Sequence, residues 1–187
     1  FAADSVPSDV VSETYVRLAP DVLSFSSDLP ILVMDNFGQG IPDREFHNSF
    51  LAVFEPDATG RSQLTNPADL TTRLGVHRHG NSSFHFPKPG YRIETRDEAD
   101  QDRTIELLGL PAESDWILKG PYNTDQSLIR NPFIYKLARE IGRYAPRTRF
   151  VELFVNFDGT AVSQRDYRGV YVLTENIKAD KNRVDIE

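Results

Sequence analysis

The 187-residue sequence contains no cysteine, a single methionine and a single tryptophan. Without cysteine there can be no disulfides, thiolate metal ligands or cysteine nucleophiles, and the redox compartment is left open. Long apolar runs are also missing. The longest, "LPILVM" at 29–34, is far too short to cross a bilayer, and no basic, then apolar, then small-residue signal opens the chain. The chain reads as soluble and, starting at Phe1, as a processed or excised piece. Positive charge is in deficit: 21 Lys and Arg stand against 28 Asp and Glu, a formal charge of -7. Nothing in that balance favours docking onto nucleic acid or an anionic membrane, although a local basic site remains compatible with it.

What is present is ordinary globular usage, with 39% apolar and 26% charged residues, so one folded domain is expected. Residues 1–22 read as an arm or linker, and 23–187 as the folded region. Strands are expected at Ile31–Met34, across "NSFLAVFEP" (48–56) and across "LTTRLGVHRHG" (70–80). "YRIETRDEADQDRTIELLGLP" suggests two more, Tyr91–Thr95 and Thr104–Leu108, joined by an acidic turn. The spacing of Asp97, Asp100 and Asp102 in that turn does not meet the EF-hand pattern, so a solvated tip is favoured over a calcium site.

One helix is expected after "WILKGPYNTDQSLIR", with Asn131 as N-cap, Pro132 as first helical residue and Gly142 as stop. Phe133, Leu137 and Ile141 recur every four residues, with Ile134 and Ala138 beside them, and predict one buried face. Phe150–Phe157 and Tyr167–Ile177 then form an antiparallel pair turning through Asp158 and Gly159. The pattern is α+β: mostly antiparallel strands with one principal helix.

The chemistry-bearing stretch is "GVHRHGNSSFHFPKPGYRIE" (75–94). Gly75–Ser82 is one residue short of a Walker A loop, because Asn81 stands where the phosphate-binding lysine belongs and Ser82 where the magnesium ligand belongs. Pro87 and Pro89 also forbid the helix such a loop must open. His77 and His79 share a strand face with His85 nearby, but no carboxylate lies close in sequence, so no metal site is assigned. "GNSSF" lacks the second glycine of a nucleophile elbow. What survives is Arg78, Lys88 and Arg92 around a turn of Gly80, Asn81, Ser82 and Ser83, whose amides suit an anion. Taken alone, solvated hairpin charges explain the run better.

Four motifs in order, "DLPILVMDNFGQGIPD", "RHGNSSFHFPKPGYRIETRDE", "LLGLPAESDWILKGPYNTDQSLIRNPFIYKLAREIGRYAPRTRFVELFVN" and "YRGVYVLTENIKADKNRVDI", closely resemble the CotH kinase family, the spore coat protein H-like proteins. The resemblance runs from about Asp28 to Asp185. It implies the N-terminal lobe of an atypical protein-kinase-like fold that binds ATP and Mg2+ and passes phosphate to a protein acceptor. It further implies a secreted or cell-surface bacterial protein, with extracellular partners or further domains. On this reading Gly80–Ser83 cover the nucleotide, and Lys88 or Arg92 faces its phosphates. Glu140 becomes the acidic partner of that cation, and Val170–Thr174 with Glu175 leads to the adenine hinge. Family members usually carry two adjacent lysines after Phe-Pro, whereas here Pro89 follows Lys88. The catalytic base and metal-binding acids of the second lobe are expected beyond Glu187, so this span is expected to be inactive alone. The alternative is a non-catalytic extracellular structural, adhesion or binding module on the same fold.

Overall fold

The computed structural model describes residues 14–40, 42–122, 125, 127–180, 183 and 184. The arm expected over 1–22 therefore lies outside the described residues as far as residue 13. Eleven strands are formed: β1 (Ser26–Ser27), β2 (Ile31–Asp35), β3 (His47–Phe54), β4 (Ser62–Gln63), β5 (Leu70–His79) and β6 (Gly90–Arg96), then β7 (Ile105–Leu107), β8 (Leu110–Glu113), β9 (Asp115–Lys119), β10 (Thr148–Asn156) and β11 (Tyr167–Glu175). Seven of them close into a barrel in the order β10-β11-β9-β6-β5-β3-β2. Every seam is antiparallel except the one that shuts it. There β10 runs parallel to β2, with Glu152 opposite Ile31 and Asn156 opposite Asp35.

The sequence explains this seam. Ile31, Leu32, Val33 and Met34 are all fully buried, because β2 is covered on both faces. Leu32 and Met34 enter the barrel core with Trp116, Ile93, Leu153 and Tyr171. Ile31 and Val33 point outward into a second cluster with Phe50, Phe54, Phe154 and Val22. Residues 16–25 supply the lid of that cluster, held by backbone bonds from Ala19 to Val162 and from Val162 to Arg17.

The expected α+β architecture, and with it the kinase-like N-terminal lobe, is not what the chain forms. Strand accounts for 42% of the residues and helix for 13%, and the strands close on themselves. Among the described residues a single α-helix, α1 (Arg130–Glu140), lies outside the barrel. Sequence patterns announced six of the seven wall strands but not β9, whose "DWILK" stood in the stretch read as leading into the helix, and no local pattern reports that strands over a hundred residues apart will pair in parallel. With β11 hydrogen-bonded to β10 on one side and β9 on the other, Val170–Thr174 is a stave of the barrel wall.

The helix departs from expectation too. Its N-cap is Ile129, two residues before Asn131, and it buries no residue at all. Gly142 does follow its end, with φ +76°. The barrel interior is already filled by Trp116, Tyr171 and their neighbours, which leaves no apolar cavity for a helix face to enter. The two strands flanking the acidic turn also do not pair with each other: β6 lies between β5 and β9, while β7 pairs with β8.

Gly120 fixes the exit of β9. A Cβ there would lie 2.8 Å from the Tyr171 ring and 2.9 Å from the carbonyl oxygens of Lys88 and Pro89. Two of those neighbours are backbone, and Tyr171 is fully buried and donates its hydroxyl to Pro89 O at 3.0 Å. Gly120→Ala should therefore cost about 1–3 kcal/mol through forced backbone movement. Urea unfolding checks this, and a midpoint within error of the parent would show that the turn yields freely.

Candidate functional site

One end of the barrel is built from the exit of β5, the loop 80–89, the entry of β6, the exit of β9 and the first half of β11. The loop opens at Gly80, whose φ of +123° admits glycine, and where a Cβ would collide with the Ser83 hydroxyl. A short 3-10 turn, Ser82–His85, follows and drives Phe84 into the surface. Two guanidinium groups approach the Phe84 ring, Arg44 at 4.7 Å and Arg78 at 5.7 Å. The loop then brings Lys88 back over the barrel. Its Nζ donates to Val170 O at 2.6 Å and lies 4.9 Å from the centre of the Tyr171 ring. The absent side chain of Gly169 leaves the space beside that ammonium open.

The electrostatics of this mouth are unusual in an acidic protein. Burial pushes the Lys88 ammonium below the ordinary lysine range, opposed only in part by the charge of Glu152. Glu152 is itself engaged, accepting from the Ser27 hydroxyl at 2.9 Å and the Tyr167 hydroxyl at 2.6 Å. Burial raises the phenols of Tyr91 and Tyr171, and the charges of Arg168 and Arg78 act on both in the opposite sense. Of the three cations, Lys88 lies over the Tyr171 ring and Arg78 over the Phe84 ring, while Arg168 sits exposed on β11, next in sequence to Gly169. Among the described residues, none of these three, nor Arg44, makes an ion pair within 4.0 Å. Nε of Arg78 is buried with no hydrogen-bond partner, as is Nε of Arg92.

The opposite end of β9 and β11 is the reverse case, where every carboxylate meets a cation. Arg92 reaches Asp115 at 2.9 Å, and Lys178 bridges Asp115 and Glu113, each at 2.8 Å. Burial opposes the charge on Asp115, but the hydrogen bonds from Lys178 and Arg92 outweigh it and hold the carboxyl below its usual range. The same balance raises Lys178: burial works against its charge, and the two carboxylates prevail. Beside them Glu175 and Arg183 form a fully buried pair at 2.9 Å, with Arg147 on the same carboxylate at 2.8 Å. Arg183 also lies 5.3 Å from the Trp116 ring, so the returning tail closes this end.

The residues singled out from sequence thus separate into three places. Arg78, Gly80, Asn81, Ser82, Ser83 and Lys88 gather at the open mouth. Arg92 and Glu175 belong to the neutralised network at the other end. Glu140 stands apart on α1, more than half exposed and 3.8 Å from Lys136. Two cations of the mouth, Arg44 and Arg168, were not singled out from the sequence; the pairing of β3 with β5 and of β11 with β9 brings them to this end. The one available hint for Arg168 was its neighbour Gly169 in "YRGVY". His77 and His79 do lie on one strand, yet among the described residues no group of three or more His, Asp or Glu could hold a metal ion.

A family model described as CotH kinase protein matches residues 76–187, more than half of the chain. The match takes in the mouth loop, Lys88, Arg168 and the buried Glu175–Arg183 pair. No curated protein matches the chain.

Two outcomes follow for the neutralised end. Truncating Arg183 to Ala leaves Glu175 buried with a partner lost, and should cost about 3–5 kcal/mol in urea unfolding. Asp115, with its depressed folded pKa, contributes stability that is complete above its unfolded pKa of about 3.9 and is lost as pH falls through the folded value. Asp115→Asn should therefore be less stable than the parent at neutral pH, with the gap closing in acid. A gap of equal size at about pH 3 and pH 7 would refute this assignment.

Proposed function

The chain belongs to the CotH kinase family, and from that premise we propose that its open mouth holds the phosphates of ATP in a protein that passes phosphate to protein side chains. The observation that carries the reading is Lys88, whose ammonium lies over the Tyr171 ring with a carbonyl as its hydrogen-bond partner, beside a loop against which Arg78 also packs through Phe84. The two cations named from sequence as rivals for the phosphates are distinguished by their partners. Arg92 is committed to Asp115, whereas Lys88 is held by a neutral carbonyl that an anion can displace at little cost. Gly169 puts no side chain beside the Lys88 ammonium, and the Gly80–Ser83 turn offers backbone amides to an oxyanion.

The residues present suit a nucleotide's phosphates but not magnesium: the described residues offer no cluster of acids for it, and no step is assigned to the metal. ATP, when bound, supplies the phosphoryl group. Lys88 and Arg78 orient it and offset its charge, and burial beneath the loop limits water. The nearby acid Glu152 is occupied by Ser27 and Tyr167, so a general base for an acceptor hydroxyl has to come from elsewhere. A secreted or cell-surface bacterial setting is part of the same proposal and rests on the family resemblance.

Calorimetric titration with ATP and with inorganic tripolyphosphate tests the site. Lys88→Ala and Arg78→Ala should each weaken both ligands roughly ten- to a hundredfold, the loss of one charge-assisted hydrogen bond, while Arg92→Ala should leave them nearly unchanged. Equal affinities across all three variants would remove the phosphates from this mouth.

A further inference from the structure

Lys88 lacks the kind of partner that holds a lysine in its charged form. Lys178 meets Glu113 and Asp115 at 2.8 Å each, and Lys136 meets Glu140 at 3.8 Å. Among the described residues Lys88 makes no ion pair within 4.0 Å. Its Nζ donates to Val170 O and otherwise faces the Tyr171 ring. A carbonyl needs only one N–H, so this bond survives when the ammonium loses a proton, and the lone pair so formed is left for another atom. A carboxylate partner would oppose that loss, because the ion pair disappears with the charge. The flank beside Nζ carries no side chain: a Cβ on Gly169 would lie 3.7 Å from it.

The electrostatics act in the same direction. Burial lowers the basicity of Lys88, and the Glu152 charge that opposes this is engaged by the Ser27 and Tyr167 hydroxyls. Tyr171 is held neutral, its phenol raised by burial. We propose that Lys88 is a modification site, its amine taking the acyl group of an acyl phosphate whose phosphate occupies the place proposed above for the phosphates of ATP. The position of the phosphate rests on that reading; the nucleophilic amine does not. Nζ attacks the acyl carbon, a C–N bond forms as the C–O bond to phosphate breaks, and inorganic phosphate leaves with the electron pair. The nitrogen passes its proton to water. Lowered basicity costs some intrinsic nucleophilicity, but less than the gain of about tenfold in free amine per pKa unit, as with thiolates. The product is a neutral amide, so acylation removes a cation from the mouth and switches off its hold on phosphate.

The test treats the 187-residue chain with limiting acetyl phosphate beside free Nα-acetyllysine amide, and reads each lysine by mass spectrometry. Lys88 should be acetylated at least about fivefold faster than any other lysine of the chain, with a rate that levels off at lower pH than that of the free amine. Excess tripolyphosphate should slow it, and unfolding in urea should erase the preference. The acetylated chain should bind tripolyphosphate roughly ten- to a hundredfold more weakly in calorimetry. Even acetylation of all the lysines, or a pH profile for Lys88 that matches the free amine, overturns the proposal. Calorimetry on the unmodified chain separates the two ideas. If tripolyphosphate binds but Lys88 is not preferred, this inference alone falls. If Lys88 is preferred but tripolyphosphate neither binds nor protects, the phosphates leave the mouth and Lys88 stands as the acyl acceptor.

Discussion

The parallel pairing of β2 with β10 is the constraint on which everything else hangs. It joins residues 31–35 to 152–156, turns an open antiparallel sheet into a barrel, and leaves no wall strand with a free edge. Closure also decides which loops meet. The segment after β2 carries Arg44 to the Phe84 ring, and the backbone N–H of Arg78 donates to Asp43 O at 3.0 Å in that same segment. Glu152, at the seam itself, donates its backbone N–H to Pro30 O and anchors Ser27 and Tyr167 with its carboxylate. Without the seam the mouth would lose its wall on the side of the first strands.

The barrel divides its charges unevenly between its ends. One end is a closed network in which Glu113, Asp115 and Glu175 each meet at least one cation, and the returning tail is part of it through Lys178 and Arg183. Buried charges of this kind are tolerable only when paired, so the network is a condition of folding more than a source of stability. The other end holds cations whose local partners are carbonyl oxygens and aromatic faces, interactions that satisfy geometry without cancelling charge. A field left uncancelled beneath a glycine-bordered loop is a different kind of feature from an ion pair, and it is the physical ground for reading that end as the binding one.

Much of this was legible from the residues. Alternation placed β5 and β6 to within a residue or two, and apolar and aromatic runs bounded by turn residues placed β10 and β11 as closely, although the second half of each is buried on both faces. The unbroken apolar run at Ile31–Met34 announced a strand, and the structure shows it covered on both faces. What could not be read was closure, because hydrogen bonding between strands leaves no trace in local pattern, and with closure went the α+β expectation. The helix stripe misled for a related reason: periodicity reports that a face is apolar, not what covers it, and here the described chain does not cover it. Within the site, Lys88 and the Gly80 turn were visible as a motif, while Arg168 and Arg44 were ordinary surface arginines until strand pairing set them at the same end of the barrel.

The seam also sets an order of events during synthesis. Ile31–Met34 leaves the ribosome early, apolar on both faces, yet its partner on one side is not made until residue 156 has been added. At roughly 5–20 residues per second that interval lasts several seconds or more. Pairing with β3 can begin at once and protects one edge, but the other edge stays open as a template for any extended chain nearby. A nascent chain of this kind has reason to be shielded by a chaperone until β10 arrives, and the finished barrel, its last edge sealed, carries no trace of that vulnerable interval.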